Sequence, residues 1–434
     1  MPVGGQPRNR CGSEHLRILV VYPYLLESRS VGGLGRVQAM VRHFARRHEV
    51  SAVTFDMRPV EDGSPDLTEA QELLRTYEVI PAPRVSASRR LVGLLAGIST
   101  PVQRCRSQEL AASARRIARE QSIQLLHVEV SWLAPVAAEL SFIPARVLAI
   151  QELNSRALRR DMLSAGCGFR LPLSLANLLA FRRMEARFSE WYDLALAITP
   201  QERDYLIERH PGLSAALYPH LVDAKAFPSA ARRDAQSRRL VFVGDFLHAP
   251  NAHCARWFAR RVLPLIRRQR PDVEIDLVGP NEHLVSDIAA IPGVRLTGFE
   301  PNLNGRLQQA AVFVAPIRSG GGMRGKLLEA MAAQVPIVAT SVAVEGIEAE
   351  NEKHLLIADE ARAFAHAVLR LLRDPALARS LAEKAGLLAR ERYDSRVVLS
   401  SLEQLYESLV EAKLRGGERS SERAASPSRG GVIG

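Results

Sequence analysis

The sequence predicts an α/β protein built from two doubly wound, mostly parallel sheets, on three observations. Short apolar runs bounded by turn residues alternate with helical patterns along most of the chain, which is the pattern of strands buried on both faces with helices between them. At 434 residues the chain is long enough for two sizeable cores. A polar, Arg-rich run at 229–239 separates two such alternating series and reads as a linker, dividing the chain into domains at 17–228 and 240–394.

In the first series, residues 1–16 are polar, lack the long apolar core of a secretory leader and are expected to be disordered. Arg17–Pro23 reads as a buried strand. Its loop passes Ser28, Ser30 and Val31 to reach Gly32, Gly33, Leu34, Gly35 and Arg36, and Val37–Arg47 follows as a helix. The glycine pair lies about nine residues beyond the strand, so it is not a dinucleotide fingerprint, which follows its strand directly. Further strands are expected at Val50–Phe55, Glu78–Ala82, Leu125–Val130, Val147–Gln151 and Leu194–Thr199, with 56–67 a surface loop. Helical patterns cover Gln108–Glu120, Leu133–Leu140 and Leu158–Trp191. Within the last, Phe169–Trp191 mixes Leu, Ala and Phe with Arg170, Arg182, Arg183 and Arg187. Such a stretch either lies on a membrane surface or packs on the core with a solvated basic face.

The second series opens with a strand at Leu240–Gly244. A loop from Asp245 leads to Asn251, a suitable N-cap, and a helix running through Trp257 to Arg268. Strands follow at Glu274–Gly279, Val294–Gly298, Val312–Pro316, Pro336–Thr340 and His354–Ile357, then helices at Asp359–Leu372, Ala376–Arg390 and Ser395–Leu414. The tail 415–434, rich in Gly, Ser and Arg, lacks the apolar residues to fold.

The candidate site lies in Ser319–Ala332, where a strand runs into Gly320, Gly321 and Gly322 and then a helix. Glycines without Cβ admit positive φ and a close ligand. The helix start offers unpaired N–H groups and the positive end of a dipole. Arg324 and Lys326 add two cations where cations are unfavourable unless an anion compensates them. Glu329 shares a face with Gly322 and Lys326 at about 100° per residue and sits in a run otherwise built for burial. It either accepts hydrogen bonds from a sugar's hydroxyls or simply pairs with Lys326. Arg324 can face the loop only if the helix begins after it.

Composition narrows the function classes. The net charge of +11 favours anionic partners. The arginines are spread in pairs from Arg46–Arg47 to Arg267–Arg268 and aromatic residues are only 6%, which argues against a nucleic-acid stacking surface. Anionic lipid or polyanionic glycan fits the charge, as does an Arg-rich background. No apolar run reaches the ~18–20 residues of a membrane span, so the protein is expected in the cytoplasm, in one reading peripheral on the inner membrane face. Cys11, Cys105, Cys167 and Cys254 show no metal-ligand spacing and read as reduced thiols.

The 320–332 stretch resembles the nucleotide-sugar signature of family 4 retaining GT-B glycosyltransferases (glycosyl transferases group 1), in the subgroup with Gly-Gly-Gly-x-Arg-x-Lys. The resemblance covers about 17–412. It implies a GT-B fold of two facing Rossmann-like domains, with helix 395–414 packing back on the N-terminal one. It implies donor contacts at Gly32, Gly33, Gly244, His248, Gly298, Phe299 and the three loop glycines, and catalytic roles for Arg324, Lys326 and Glu329. The family's pair of glutamates eight positions apart leaves Glu329 as the second and Gly321 in place of the first. Gln151 stands where His is usual and Asn154 where Glu is usual, so that Gln151 and Glu152 become the acceptor-side candidates. The family's lysine in the loop after Gly244 is absent, and His220 and Leu221 replace the Asn and Gly of its interdomain segment. Glu345 matches an Ala-Glu-Gly-Leu turn. The activity implied is metal-independent transfer of a sugar, with retention, from a nucleotide diphosphate sugar to a glycan or lipid-linked hydroxyl, with no cofactor and no nucleic acid. A sugar-nucleotide epimerase and a catalytically impaired partner subunit of the same fold are the alternatives.

Overall fold

The structure, a computed structural model, describes residues 15–26, 33–57, 66–165, 171–227, 237–320 and 322–425. Seven parallel strands form the first sheet in the order β3-β2-β1-β4-β5-β6-β7. They are β1 (Arg17–Tyr22), β2 (Glu49–Asp56), β3 (Thr76–Pro81), β4 (Leu125–Glu129), β5 (Ala145–Ile150), β6 (Leu194–Ala197) and β7 (Ser214–Leu217). Six parallel strands form the second in the order β10-β9-β8-β11-β12-β13. These are β8 (Arg239–Val243), β9 (Glu274–Val278), β10 (Val294–Gly298), β11 (Val312–Ala315), β12 (Ile337–Ala339) and β13 (Leu356–Ile357).

Side chains two apart on a strand share a face, and each face of the first sheet has its own core. Leu19 and Val21 of β1, Leu126 and Val128 of β4 and Leu148 and Ile150 of β5 pack with the Gln108–Glu120 helix and with Phe188 and Trp191. The opposite face joins Ile18, Val20 and Tyr22 to Val37, Met40, Val41 and Phe44 of the Gly33–Phe44 helix. Val398, Leu399, Leu402, Tyr406 and Val410 of the Ser395–Ala425 helix complete this face, so the C-terminal end of the chain covers the N-terminal domain. The two crossings between domains run side by side. Val222 N donates to Tyr393 O and Ser395 N to Val222 O, both at 2.9 Å.

In such sheets ligands sit beyond the carboxyl ends of the strands where the strand order reverses. Here that is between β1 and β4 in one sheet and between β8 and β11 in the other. The strand ends at Glu129, Gly244 and Pro316 therefore belong to switch points, and Gln151, at the end of neighbouring β5, lies beside the first of them.

Several local expectations are corrected. Leu158–Trp191 is not one helix: Asn154–Ala165, Leu171–Glu185 and Phe188–Trp191 are separate. Leu133–Leu140 lies within a 3₁₀ helix, Ser131–Leu140, whose interior Pro135 lacks the N–H of an α-helical ladder. Asn251 is not an N-cap. The Ala249–Trp257 helix starts earlier, after His248, with Pro250 in its first turn, and Asn251 Nδ2 instead donates to Asp245 O at 2.9 Å. The tail expected to be unfolded from Arg415 is helical to Ala425. Once a helix is nucleated by its packed half, each further residue adds a hydrogen bond without a new nucleation cost, and Arg415 pairs with Glu411 one turn back at 3.0 Å. Cys105 and Cys254 are buried free thiols; Cys11 and Cys167 lie outside the described residues.

Candidate functional site

The glycine turn after β11 has the backbone its sequence requires. Gly320 takes φ +95° and Gly322 φ +73°, values costly for a residue with Cβ; Gly321 lies outside the described residues. Gly320 packs on Pro250, at the start of the Ala249–Trp257 helix, with a would-be Cβ only 3.6 Å from its Cγ. The loops after β8 and β11 thus meet. The helix after the turn is Gly325–Ala332, and Arg324 is its N-cap with extended backbone, φ −96° and ψ 96°. The condition set by the sequence is met: Arg324 precedes the helix and does not project from its far face.

The Arg324 guanidinium is half-buried, and its Nη1 donates to Gly322 O at 3.1 Å. Burial holds its pKa below the usual arginine value. Glu345 of the same domain and Glu152 of the other favour its charge, while Arg160 opposes it. A half-buried cation at a helix N-terminus is a place where an anion gains on both counts.

Lys326 Nζ reaches both oxygens of Glu329, at 2.9 and 3.0 Å. The pair exists, but it is not a plain surface pair, because the Glu329 side chain is only 19% exposed. Burial raises the Glu329 pKa against the pull of Lys326. A carboxylate has about four lone-pair sites, so Glu329 can hold Lys326 and still accept a hydroxyl.

The N-terminal domain faces this turn with the end of β5. A Cβ on Gly322 would lie 3.7 Å from the Gln151 carbonyl oxygen. Gln151 Nε2 donates to Glu129 Oε1 at 3.2 Å, and Glu129 lies at the end of neighbouring β4. Glu129 is fully buried, ion-paired with Arg36 and 3.0 Å from His127 Nε2; the other His127 nitrogen is 2.5 Å from Tyr406 Oη on the C-terminal helix. Arg36 Nη1 donates to Tyr218 O at 2.9 Å and its guanidinium stacks over the Tyr218 ring at 4.3 Å. Although burial opposes it, Arg36 and His127 hold the Glu129 carboxyl down at about 2. Burial pushes the His220 imidazole down to about 3, with Arg36 and Arg324 acting the same way and Glu129 against. His220 is therefore neutral at ordinary pH, between the two domains' charges.

The remaining candidates divide. Gly32 lies outside the described residues, and Gly33 begins the Gly33–Phe44 helix. Gly244 is packed under Asn251, where a Cβ would meet Cγ at 2.9 Å, and Gly279 lies against its carbonyl. His248 is exposed at the N-terminus of the Ala249–Trp257 helix. Gly298 has φ +66° at the end of β10, and the Phe299 ring beside it is 64% exposed. Glu152 is paired with Arg160 at 2.9 Å. Asn154 Oδ1 accepts from Trp132 Nε1 at 2.9 Å.

His127, Glu129 and Tyr406 were not singled out from sequence, and Arg36, Tyr218 and His220 were given no role in the site. The signal was present for two of them: His127 and Glu129 are two apart in Leu125–Val130, so a strand buried on both faces carries two titratable groups on one face, which requires partners. Arg36 and Tyr406 come from distant sequence, and only the fold unites them. Among the described residues, the one grouping of metal-ligand type, His48, Glu403 and Glu407, lies where the C-terminal helix meets the N-terminal domain. Arg47 Nη1 shares Glu403 there, at 3.3 Å.

Two parallel-sheet domains whose strand ends face each other, with a glycine turn and basic helix start on one side, define the GT-B class of α/β fold. Over 92% of this chain and 100% of the other, the fold matches sucrose-phosphate synthase from Thermosynechococcus elongatus with a TM-score of 0.69 at 18% identity. Residues 237–374 match the family model described as Glycosyl transferases group 1. Among curated relatives, an uncharacterized 44.6 kDa protein in the cps region of Klebsiella pneumoniae is 25% identical over 178 residues, 39% of this chain and 46% of that protein. A phosphatidyl-myo-inositol mannosyltransferase of Mycolicibacterium smegmatis is 28% identical over 219 residues, 47% of this chain and 54% of the relative. The chain spans about half the length of these relatives.

Proposed function

We propose that the protein is a glycosyltransferase that moves a sugar, with retention and without a metal ion, from a nucleotide diphosphate sugar to a hydroxyl acceptor in cell-surface polysaccharide or glycolipid synthesis. The observation that carries the reading is the placement of Arg324, at a glycine-turn helix start, opposite the strand end bearing Gln151. Departure of the diphosphate is the demanding step, and fixed donors aimed at the developing charge supply the largest catalytic contribution in many enzymes. In this reading the N–H groups of the Gly325–Ala332 helix, Arg324 and Lys326 receive the diphosphate, Glu329 holds Lys326 and a sugar hydroxyl, and Gln151 lines the acceptor side. The family-model match over residues 237–374 and the similarity to the mannosyltransferase support transfer of a sugar. The +11 charge supports peripheral contact with an anionic membrane.

A donor with a labelled sugar, incubated with lipid-linked and glycan acceptors in the presence of a chelator, tests each part. Transfer with the donor's anomeric configuration kept is the expected result. Substitution of Gln151 and Gly321 for the residues usual in the resembled family favours a second reading, an impaired partner subunit. That protein would hydrolyse donor slowly and transfer nothing.

A further inference from the structure

Of the sixteen large hydrophobic residues exposed among the described residues, seven lie on two helices that pack against each other, Ala87–Leu95 and Leu171–Glu185. Ala87–Leu95 buries no residue at all. Leu91, Val92 and Leu95 are 61%, 65% and 80% exposed. At about 100° per residue they occupy one arc, and Arg89 and Arg90 flank it on either side. On Leu171–Glu185, Leu178, Phe181 and Met184 face the core, while Leu171, Leu175 and Leu179, four apart, form a second exposed apolar face. The solvated basic face expected for this stretch is thus largely leucine, with Arg182 and Arg183 at its end.

The charge along the first of these helices and its flanks has one sign. Residues 79–108 contain Arg84, Arg89, Arg90, Arg104 and Arg106 and no carboxylate. Apolar arcs edged by arginine suit the headgroup boundary of an anionic bilayer, where leucines enter the acyl region and guanidinium groups meet phosphates. Behind the helices lies a cavity of about 440 Å³, whose wall combines Ile98, Val102, Leu133, Met184 and Trp191 with Arg106, Glu139, Arg183 and Arg187. That volume is within the ~300–1,000 Å³ of small-molecule sites. Trp132 of its wall bonds Asn154, three residues beyond Gln151.

We propose that these two helices are the surface on which the N-terminal domain docks to an anionic phospholipid bilayer, and that the cavity behind them takes up one lipid chain. The proposal deepens the membrane contact in the functional reading and rests on it only for the acceptor's location; docking itself requires no turnover. Flotation of the full chain with phosphatidylcholine vesicles, with and without phosphatidylglycerol, tests it. Binding to the anionic vesicles is expected, weakened by salt, and about tenfold or more weaker in a Leu91→Glu, Leu95→Glu, Leu175→Glu variant. These positions are exposed, so the variant is expected to keep its fold by circular dichroism. Brominated-chain phosphatidylcholine in the bound vesicles is expected to quench Trp132 and Trp191. Equal flotation by wild type and variant, no preference for anionic vesicles, or a leucine variant that only loses self-association would overturn the docking surface; unquenched tryptophan in bound protein would overturn chain uptake. Nucleotide diphosphate titration of the same samples reports separately on the transferase reading.

Discussion

The carbonyl oxygen of Gln151 and the α-carbon of Gly322 face each other closely enough that an added Cβ would sit 3.7 Å from the oxygen. The contact joins the end of β5 in one domain to the turn after β11 in the other. It puts the cation of Arg324 within the electrostatic reach of Glu152 and His220 across the cleft. An anion held at the turn is therefore presented to the N-terminal domain and not to open solvent.

Lys326→Ala is expected to weaken nucleotide diphosphate binding, and Glu329→Gln to lower turnover by ~10²-fold or more with donor affinity largely kept, the size of losing one fixed group at a charge-developing centre. Calorimetry for the first and initial rates for the second check the pair. Unchanged values in both variants would remove the assignment of this helix face.

Gly346, at φ +82°, lies under Thr199 so closely that a Cβ would meet Thr199 Cγ2 at 2.4 Å. Gly346→Ala is expected to cost ~1–3 kcal/mol through overpacking and strain. Thr199→Ser removes that methyl but keeps the hydroxyl that caps the Pro200–Arg209 helix, and should recover part of the loss. Denaturant midpoints of the two single variants and the double variant measure this. Additive losses would mean that this domain contact is not where the two residues meet.

Arg36 and Glu129 form a fully buried pair. Removing one partner strands a charge, and Glu129→Leu is expected to cost ~3–5 kcal/mol. Arg36→Met together with Glu129→Leu should be milder than the sum of the singles. Urea unfolding followed by near-UV circular dichroism reports the difference; a double variant as damaging as the sum would deny the coupling.

His220 sets a pH dependence whose sign is fixed. Its folded imidazole, near 3, refuses a proton that the unfolded chain accepts below about 6.5. Its contribution to stability is therefore complete above about pH 6.5 and declines as pH falls toward 3. The Glu129 carboxyl, near 2 when folded, adds a loss of its own below the ordinary carboxylate range. His220→Asn should make the stability slope between pH 6 and 4 shallower by up to about 1.4 kcal/mol per pH unit. The slope would remain unchanged if His220 were freely protonated in the cleft.

The sheets were legible because their strands are short apolar runs at regular intervals: Val294–Gly298 and the Gln108–Glu120 helix have the same bounds in sequence and structure. Ser214–Leu217 was missed because Ala-rich strands carry little β signal. The anion side of the site could be read locally, since Gly320, Gly322, Arg324 and Lys326 are neighbours in sequence. The N-terminal side could not. Glu129 gathers Arg36, His127 and Gln151 from three separate elements, and Tyr406 reaches His127 from the far end of the chain. The leucines of Ala87–Leu95 were legible from sequence only as an apolar run too short to span a membrane; that they form an exposed arc shows only once the fold leaves them uncovered.

Titration of the full chain with UDP, GDP and ADP, repeated with Arg324→Ala, tests the anion cradle most directly. The account predicts that wild type binds at least one of them and that the variant binds it at least about tenfold more weakly. A correctly folded wild type that binds none of the three, or an Arg324→Ala variant that binds as tightly as wild type, would contradict it.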